Sequence, residues 1–284
     1  MRRSQGSSTA KGTAATRAIE TRKPPEVRIC NDPLAGRLAD PLFFAFIRLF
    51  ARYGERRTHG ALTFIACRQR YIDDYLREHL ETGTTQVVIL GAGLDSRAYR
   101  EGFATVKFFE VDHPSTQAGK IRKLKRILGG IPGNVSFVPI DFDAETLDKL
   151  SACGFDPRGK TVFIWEGVTP YLTLQGVQAT LDWISANAAA GSSVVFDYQH
   201  DSPADRSALR SLLSRLSGEA RALEIPEESI RKLLADRGFT NIVNVGPQAL
   251  KELYCIGPNC GRGIPGIYSI VHAEIRCGGG ITNR

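Results

Sequence analysis

Acidic side chains close three short apolar runs in this chain: Asp112 after Val106–Val111, Asp141 after Val135–Ile140 and Glu166 after Val162–Trp165. A fourth run, Gln86–Leu90, closes on Gly91-Ala92-Gly93, followed by Leu94 and Asp95. An ionised carboxylate only accepts hydrogen bonds, which suits the hydroxyl and amine donors of a ligand. A Gly-x-Gly turn lets the backbone approach that ligand with no Cβ in the way. An acidic residue about 20 residues beyond such a turn can accept from both hydroxyls of a ribose. Alternation sends Glu110 and Asp112 to the same side, so either can serve, and position at the strand end favours Asp112. Asp141 suits an exocyclic adenine amine and Phe142 an aromatic stack; the other reading of Asp141 is a cap for the following helix. Glu166 suits a cationic group. Trp165 and Tyr171 can wall a pocket, or Trp165 can be plain core. Three residues beyond Gly93 stands Ser96, so the third glycine of the dinucleotide fingerprint is missing.

These residues need a sheet to bring them together. The β-branched run at 86–90 reads as a parallel strand buried on both faces, and the runs at 106–111, 135–140, 162–165 and 193–196 follow it with helical stretches between. Alternation of strand and helix predicts right-handed crossovers and a doubly wound, mostly parallel α/β sheet. Ligands bind outside the carboxyl ends of such strands, where Gly91, Asp112, Asp141 and Glu166 would converge. One helix is expected over 62–80, carrying Arg68 and Arg70. Another follows Thr173 as N-cap, with Leu174, Val177, Leu181 and Ile184 inward and Gly191 as its stop. The dense run from Leu42 to Arg52 should pack deeply or roof a pocket. Residues 1–16, rich in Ser, Thr, Ala and Gly, read as a frayed tail. The division expected is a helical part (17–82), a cofactor-binding core (83–199), a helical lid insert (200–235) and C-terminal strands (236–284), with late strands at 242–245 and 268–275.

The 284 residues suit one large α/β domain, with hydrophobic and charged fractions of 42% and 24% in the ordinary globular range. No apolar run has the length of a membrane span and no secretory signal is apparent, so a soluble, cytoplasmic protein is expected. The net charge of +7 is spread out. Its one concentration, Lys120 to Arg126, alternates with Ile121, Leu124, Ile127 and Leu128 and reads as a solvated helix face, so no nucleic-acid partner is expected. Six scattered cysteines have no zinc-site spacing and read as free thiols; Cys255 and Cys260 are near each other in sequence only.

Together, the glycine turn from Val88 to Arg100, the Phe109–Pro114 segment FEVDHP, the Asp141-Phe142 strand end, GFDP at 154–157 and WEGVTPYL at 165–172 resemble the leucine carboxyl methyltransferase family. The likeness is greatest to its bacterial, polyketide-type O-methyltransferase branch and covers roughly Ala15 to Tyr198. It implies a class I, Rossmann-like methyltransferase fold with S-adenosyl-L-methionine as cofactor. The cofactor would be held by the turn at Gly91, Ala92, Gly93 and Asp95, by Asp112, by Asp141 and Phe142, and by Glu166 near the sulfonium. Arg68 is similar to an upstream arginine that holds the cofactor carboxylate. The last 80 residues match poorly, so the eponymous acceptor does not carry over; the resemblance implies a small-molecule acceptor, polyketide-like in that branch, methylated on a carboxylate or hydroxyl. A hydroxyl would gain from a base, for which His200 and Tyr198 are candidates beside Tyr171 as substrate contacts. Two other readings stay open: a nicotinamide-dependent oxidoreductase, and a non-catalytic adenosine- or partner-binding protein on the same scaffold.

Overall fold

The computed structural model describes residues 5–42, 44, 45, 47–49, 55, 60–103, 105–142, 145–200 and 222–276. Among these residues seven strands form one sheet: β1 (Gln86–Leu90), β2 (Lys107–Asp112), β3 (Val135–Pro139), β4 (Thr161–Trp165), β5 (Ser193–Gln199), β6 (Phe239–Val245) and β7 (Tyr268–Ile275). Their order is β3-β2-β1-β4-β5-β7-β6. The first five pair in parallel, whereas β7 runs antiparallel to β5 and β6 antiparallel to β7. The winding reverses at β1, flanked by β2 and β4, and opens a crevice at the carboxyl ends.

Alternation along β1 shows why its run is apolar throughout. Val87 and Ile89 join Phe64, Ile72 and Leu76 of helix α3 (Ala61–Glu81), while Val88 and Leu90 join Val177, Leu181 and Ile184 of α6 (Leu174–Asn187) on the other face. Thr173 caps α6, the next α-helix after the short α5 (Lys149–Ala152), and the Thr173 hydroxyl accepts from the Gly176 N–H at 3.1 Å. Its expected stop is not Gly191. The helix ends at Asn187, and Gly191, at φ +77°, makes the turn into β5 instead.

Several expectations change. Where a frayed tail to residue 16 is expected, helix α1 (Gln5–Thr21) packs against the short α2 (Ala35–Leu38) and against α3, burying Ala14, Ala15 and Ala18. Small side chains that look too poor to fold alone allow this close approach. Helix α4 (Pro114–Leu128) does not turn all its cations outward: it buries Gln117, Lys120 and Leu124, and leaves Leu128 38% exposed. In the 42–52 run, Leu42 and Leu49 are exposed rather than deeply packed, and Phe43, Phe46, Phe50 and 51–52 lie outside the described residues. Most of the expected lid insert, 201–221, also lies outside them; its end is helix α7 (Glu227–Ala235). Strand β6 starts at Phe239, earlier than expected, because an irregularity between Thr240 and Val243 breaks its pattern, with Asn241 at φ +50°. Among the described residues no helix is long and apolar enough to cross a membrane. The five described cysteines are free, Cys255 being buried and Cys260 exposed.

Candidate active site

A cavity opens at the carboxyl ends of β1, β2 and β4, lined by the 91–95 turn, Asp112 and His113, Asp141 and Phe142, the 166–168 segment, and Tyr171 and Leu172. Further lining comes from α1, through Ala10, Thr13 and Arg17, and from Ile89, Ser115 and Thr116. The glycine turn is forced by its surroundings. Gly91 holds φ +68°, and a Cβ there would lie 2.4 Å from Val168 Cγ2. Gly93 donates its N–H to Asp112 Oδ2 (2.5 Å), and the His113 N–H donates to Oδ1 (2.6 Å), so two backbone donors fix the carboxylate plane at the cavity. Burial still raises the Asp112 carboxyl above its ordinary range against these bonds. His113 also caps α4, its ring Nδ1 accepting from the Ser115 N–H, while Nε2 stands 3.8 Å from Asp141 Oδ2.

At the other end the cavity meets a continuous chain of buried ion pairs. Arg17 donates to Asp32 (2.9 Å) and to the Leu94 carbonyl (2.6 Å), and Arg100 joins Asp32 (3.1 Å) to Asp73 (2.6 Å). Arg97 binds Asp73 (2.6 Å), Asp95 and Glu166 (2.8 Å). Arg68 continues from Glu166 (3.1 Å) to Asp197 (2.7 Å), which accepts from the Gly167 N–H at 2.6 Å. Burial would raise the Asp95 and Glu166 carboxyls, yet Arg97, with Arg17 beside Asp95 and Arg68 beside Glu166, holds both below their ordinary values. Both are carboxylates at neutral pH.

The structure thus brings Gly91, Ala92, Gly93, Asp95, Asp112, Asp141, Phe142, Glu166 and Tyr171 to one cavity. It does not bring Glu110, whose side chain is 1% exposed and pairs with Lys120 Nζ at 2.8 Å, away from the lining. Lys120, two turns along α4, claims the carboxylate that lies one alternation behind Asp112. Arg68 is not in the lining either; its guanidinium pairs with Glu166 and Asp197 behind the cavity wall. Tyr198 donates its hydroxyl to Asn244 Oδ1 (2.9 Å) within the core, and His200 lies beside it, ring centroids 6.0 Å apart; neither lines the cavity. Trp165 is fully buried core. Sequence reasoning missed Arg17 and Asp197. A charged residue within a small-residue helix, and an aspartate inside the apolar run of β5, were the traces available.

The sequence profile of the family described as Leucine carboxyl methyltransferase matches residues 10–185. The chain belongs to the leucine carboxyl methyltransferase family. Among curated members it is 36% identical over 200 residues to a protein of Mycolicibacterium paratuberculosis, covering 66% of this chain and 63% of that one. It is 33% identical over 196 residues to YktD of Bacillus subtilis, covering 66% and 64%. Both carry provisional names as S-adenosyl-L-methionine-dependent methyltransferases. The match thus spans a little under two thirds of these relatives' length. In fold, the chain is similar to the solved CurJ carbon methyltransferase, with a TM-score of 0.51 at 14% identity over 95% of this chain and 68% of that one. The family match begins inside α1 and ends near the close of α6, so it takes in every side chain of the cavity wall described above.

Proposed function

We propose that the cavity binds S-adenosyl-L-methionine and that the protein transfers its methyl group to a carboxylate or hydroxyl oxygen of a small molecule. The observation that carries this reading is the convergence of Gly91, Asp112, Asp141-Phe142 and Glu166 on one cavity, whose carboxylates would accept from the cofactor's hydroxyl and amine donors and face its positive charge. The residues present fit the group. Asp112, its plane fixed by two N–H groups, offers its remaining lone pairs to ribose hydroxyls. Asp141, with His113 Nε2 3.8 Å from it and Phe142 next in sequence, would hold the adenine. Asp95 and Glu166 present negative charge at the other end, and Arg17, rather than Arg68, is the lining cation placed to pair with the methionine carboxylate.

When bound, the cofactor supplies a methyl group already activated on a sulfonium. The protein's task is then orientation, which can lower the barrier by as much as ~7 to 11 kcal/mol. Val168, Tyr171 and Leu172, in the segment that follows Glu166, line the cavity. The nicotinamide reading is disfavoured by local geometry: after Gly93 the chain makes only a 3-10 turn, Arg97–Tyr99, where a pyrophosphate would need a helix N-terminus. Ser96, at the missing glycine, donates instead to Asp32 (2.6 Å).

Incubation with methyl-labelled cofactor and a panel of carboxylic acids, phenols and alcohols tests the proposal. Label in a methyl ester, released as methanol by mild base, or in a base-stable O-methyl ether is the expected result. Label found only on nitrogen or carbon, or none in any product, would overturn it.

A further inference from the structure

The ion-pair chain along the cavity wall is unbalanced. Among the described residues it contains four guanidiniums and five carboxylates, every one of these side chains at most 8% exposed, leaving one negative charge in excess. Two of the carboxylates, Asp95 and Glu166, reach the cavity itself. Asp112, on the same cavity, adds to the excess, since the neighbouring Glu110 and Lys120 cancel each other. Surplus buried charge is costly and is little screened by salt. The carboxyl of Asp197, at the end of the chain, is pushed upward by burial even with Arg68 at 2.7 Å and the Gly167 N–H at 2.6 Å.

We propose that this surplus is matched to a cation on the ligand, so that the buried network selects the positively charged methyl donor over its neutral demethylated product by charge. The inference rests on the cofactor reading above and adds to it a role for residues that touch no ligand. Asp73, Arg100 and Asp197 lie outside the cavity lining, yet each sets the net charge of the wall. Their role is electrostatic positioning at a distance.

The test compares two ligands by calorimetry on the full chain. S-adenosylhomocysteine is neutral overall, and sinefungin carries an ammonium where the sulfonium methyl would be. Asp73→Asn, which removes one negative charge, is expected to lower the sinefungin affinity relative to S-adenosylhomocysteine by roughly three- to ten-fold. Arg100→Gln, which removes one positive charge, is expected to shift the same ratio the opposite way. A purely structural role would weaken both ligands together and could not reverse sign between the variants. Circular dichroism melting verifies folding, and Asp197→Asn replaces Asp73→Asn should the latter not fold. Ratios unchanged in all variants, or shifted in one direction by both charge changes, would overturn the inference while leaving the cofactor reading intact. A wild-type chain that binds neither ligand would overturn the cofactor reading, and this inference with it.

Discussion

Glu110 and Asp112 differ by one alternation on one strand, and the physics around each assigns it a different task. Glu110 is sealed against Lys120, its carboxyl raised by burial and pulled back by that lysine; Asp112 opens on the cavity. Glu110→Gln should therefore leave S-adenosylhomocysteine affinity within about two-fold but destabilise the fold by about 3 to 5 kcal/mol, because Lys120 loses its buried counter-charge. Urea unfolding followed by circular dichroism, alongside a ligand titration, separates the two effects. Both carboxylates were visible in the sequence as strand-end acids. The choice between them was only partly so, because Lys120 comes from a helix whose apolar spacing suggested that the cations face water. The same limit applies to Arg68, whose partner Asp197 sits inside an apolar run and gives no sign of the pair in the sequence.

At the scale of the element, the turn after β1 is set by its close approach to the segment after β4. Gly91→Ala meets both the left-handed backbone penalty, about 1 to 2 kcal/mol, and overlap with Val168. The variant should lose ligand binding beyond calorimetric detection at millimolar concentration. Adding Val168→Ala should restore part of it by removing the overlap but not the backbone cost; no recovery would place the defect elsewhere. The central strands were legible because a run buried on both faces needs no partner to be recognised. Helix α1 was not. Its Ala, Gly, Ser and Thr residues carry little apolar area, and what stabilises them is the surface of α2 and α3 against which they fit. With α1 went Arg17 and one wall of the cavity.

For the molecule as a whole, the buried network couples folding to pH. Burial would raise Asp32, Asp73, Asp95 and Glu166, but their arginine partners hold all four below their ordinary values in the folded chain, whereas burial keeps Asp197 above its own and offsets part of their effect. Once pH falls through the ordinary carboxylate range near ~4, the unfolded chain binds more protons at these positions than the folded one, and stability is lost as pH falls further. The melting temperature should drop steeply below about pH 4, and added salt should not restore it, because the pairs are buried. A melting temperature flat from pH 5 to pH 3 would mean that the network contributes little.

On the reading proposed above, the cavity at the carboxyl ends of β1, β2 and β4 is an S-adenosyl-L-methionine site organised by Asp112. Isothermal titration of the wild-type chain and of Asp112→Ala with S-adenosylhomocysteine tests it most directly. Saturable binding at one site per chain is expected, weakened about 10- to 100-fold in the variant, the scale of one charge-assisted hydrogen bond to a ribose hydroxyl. Binding of NAD in place of S-adenosylhomocysteine, or S-adenosylhomocysteine affinity indifferent to Asp112→Ala, would contradict it.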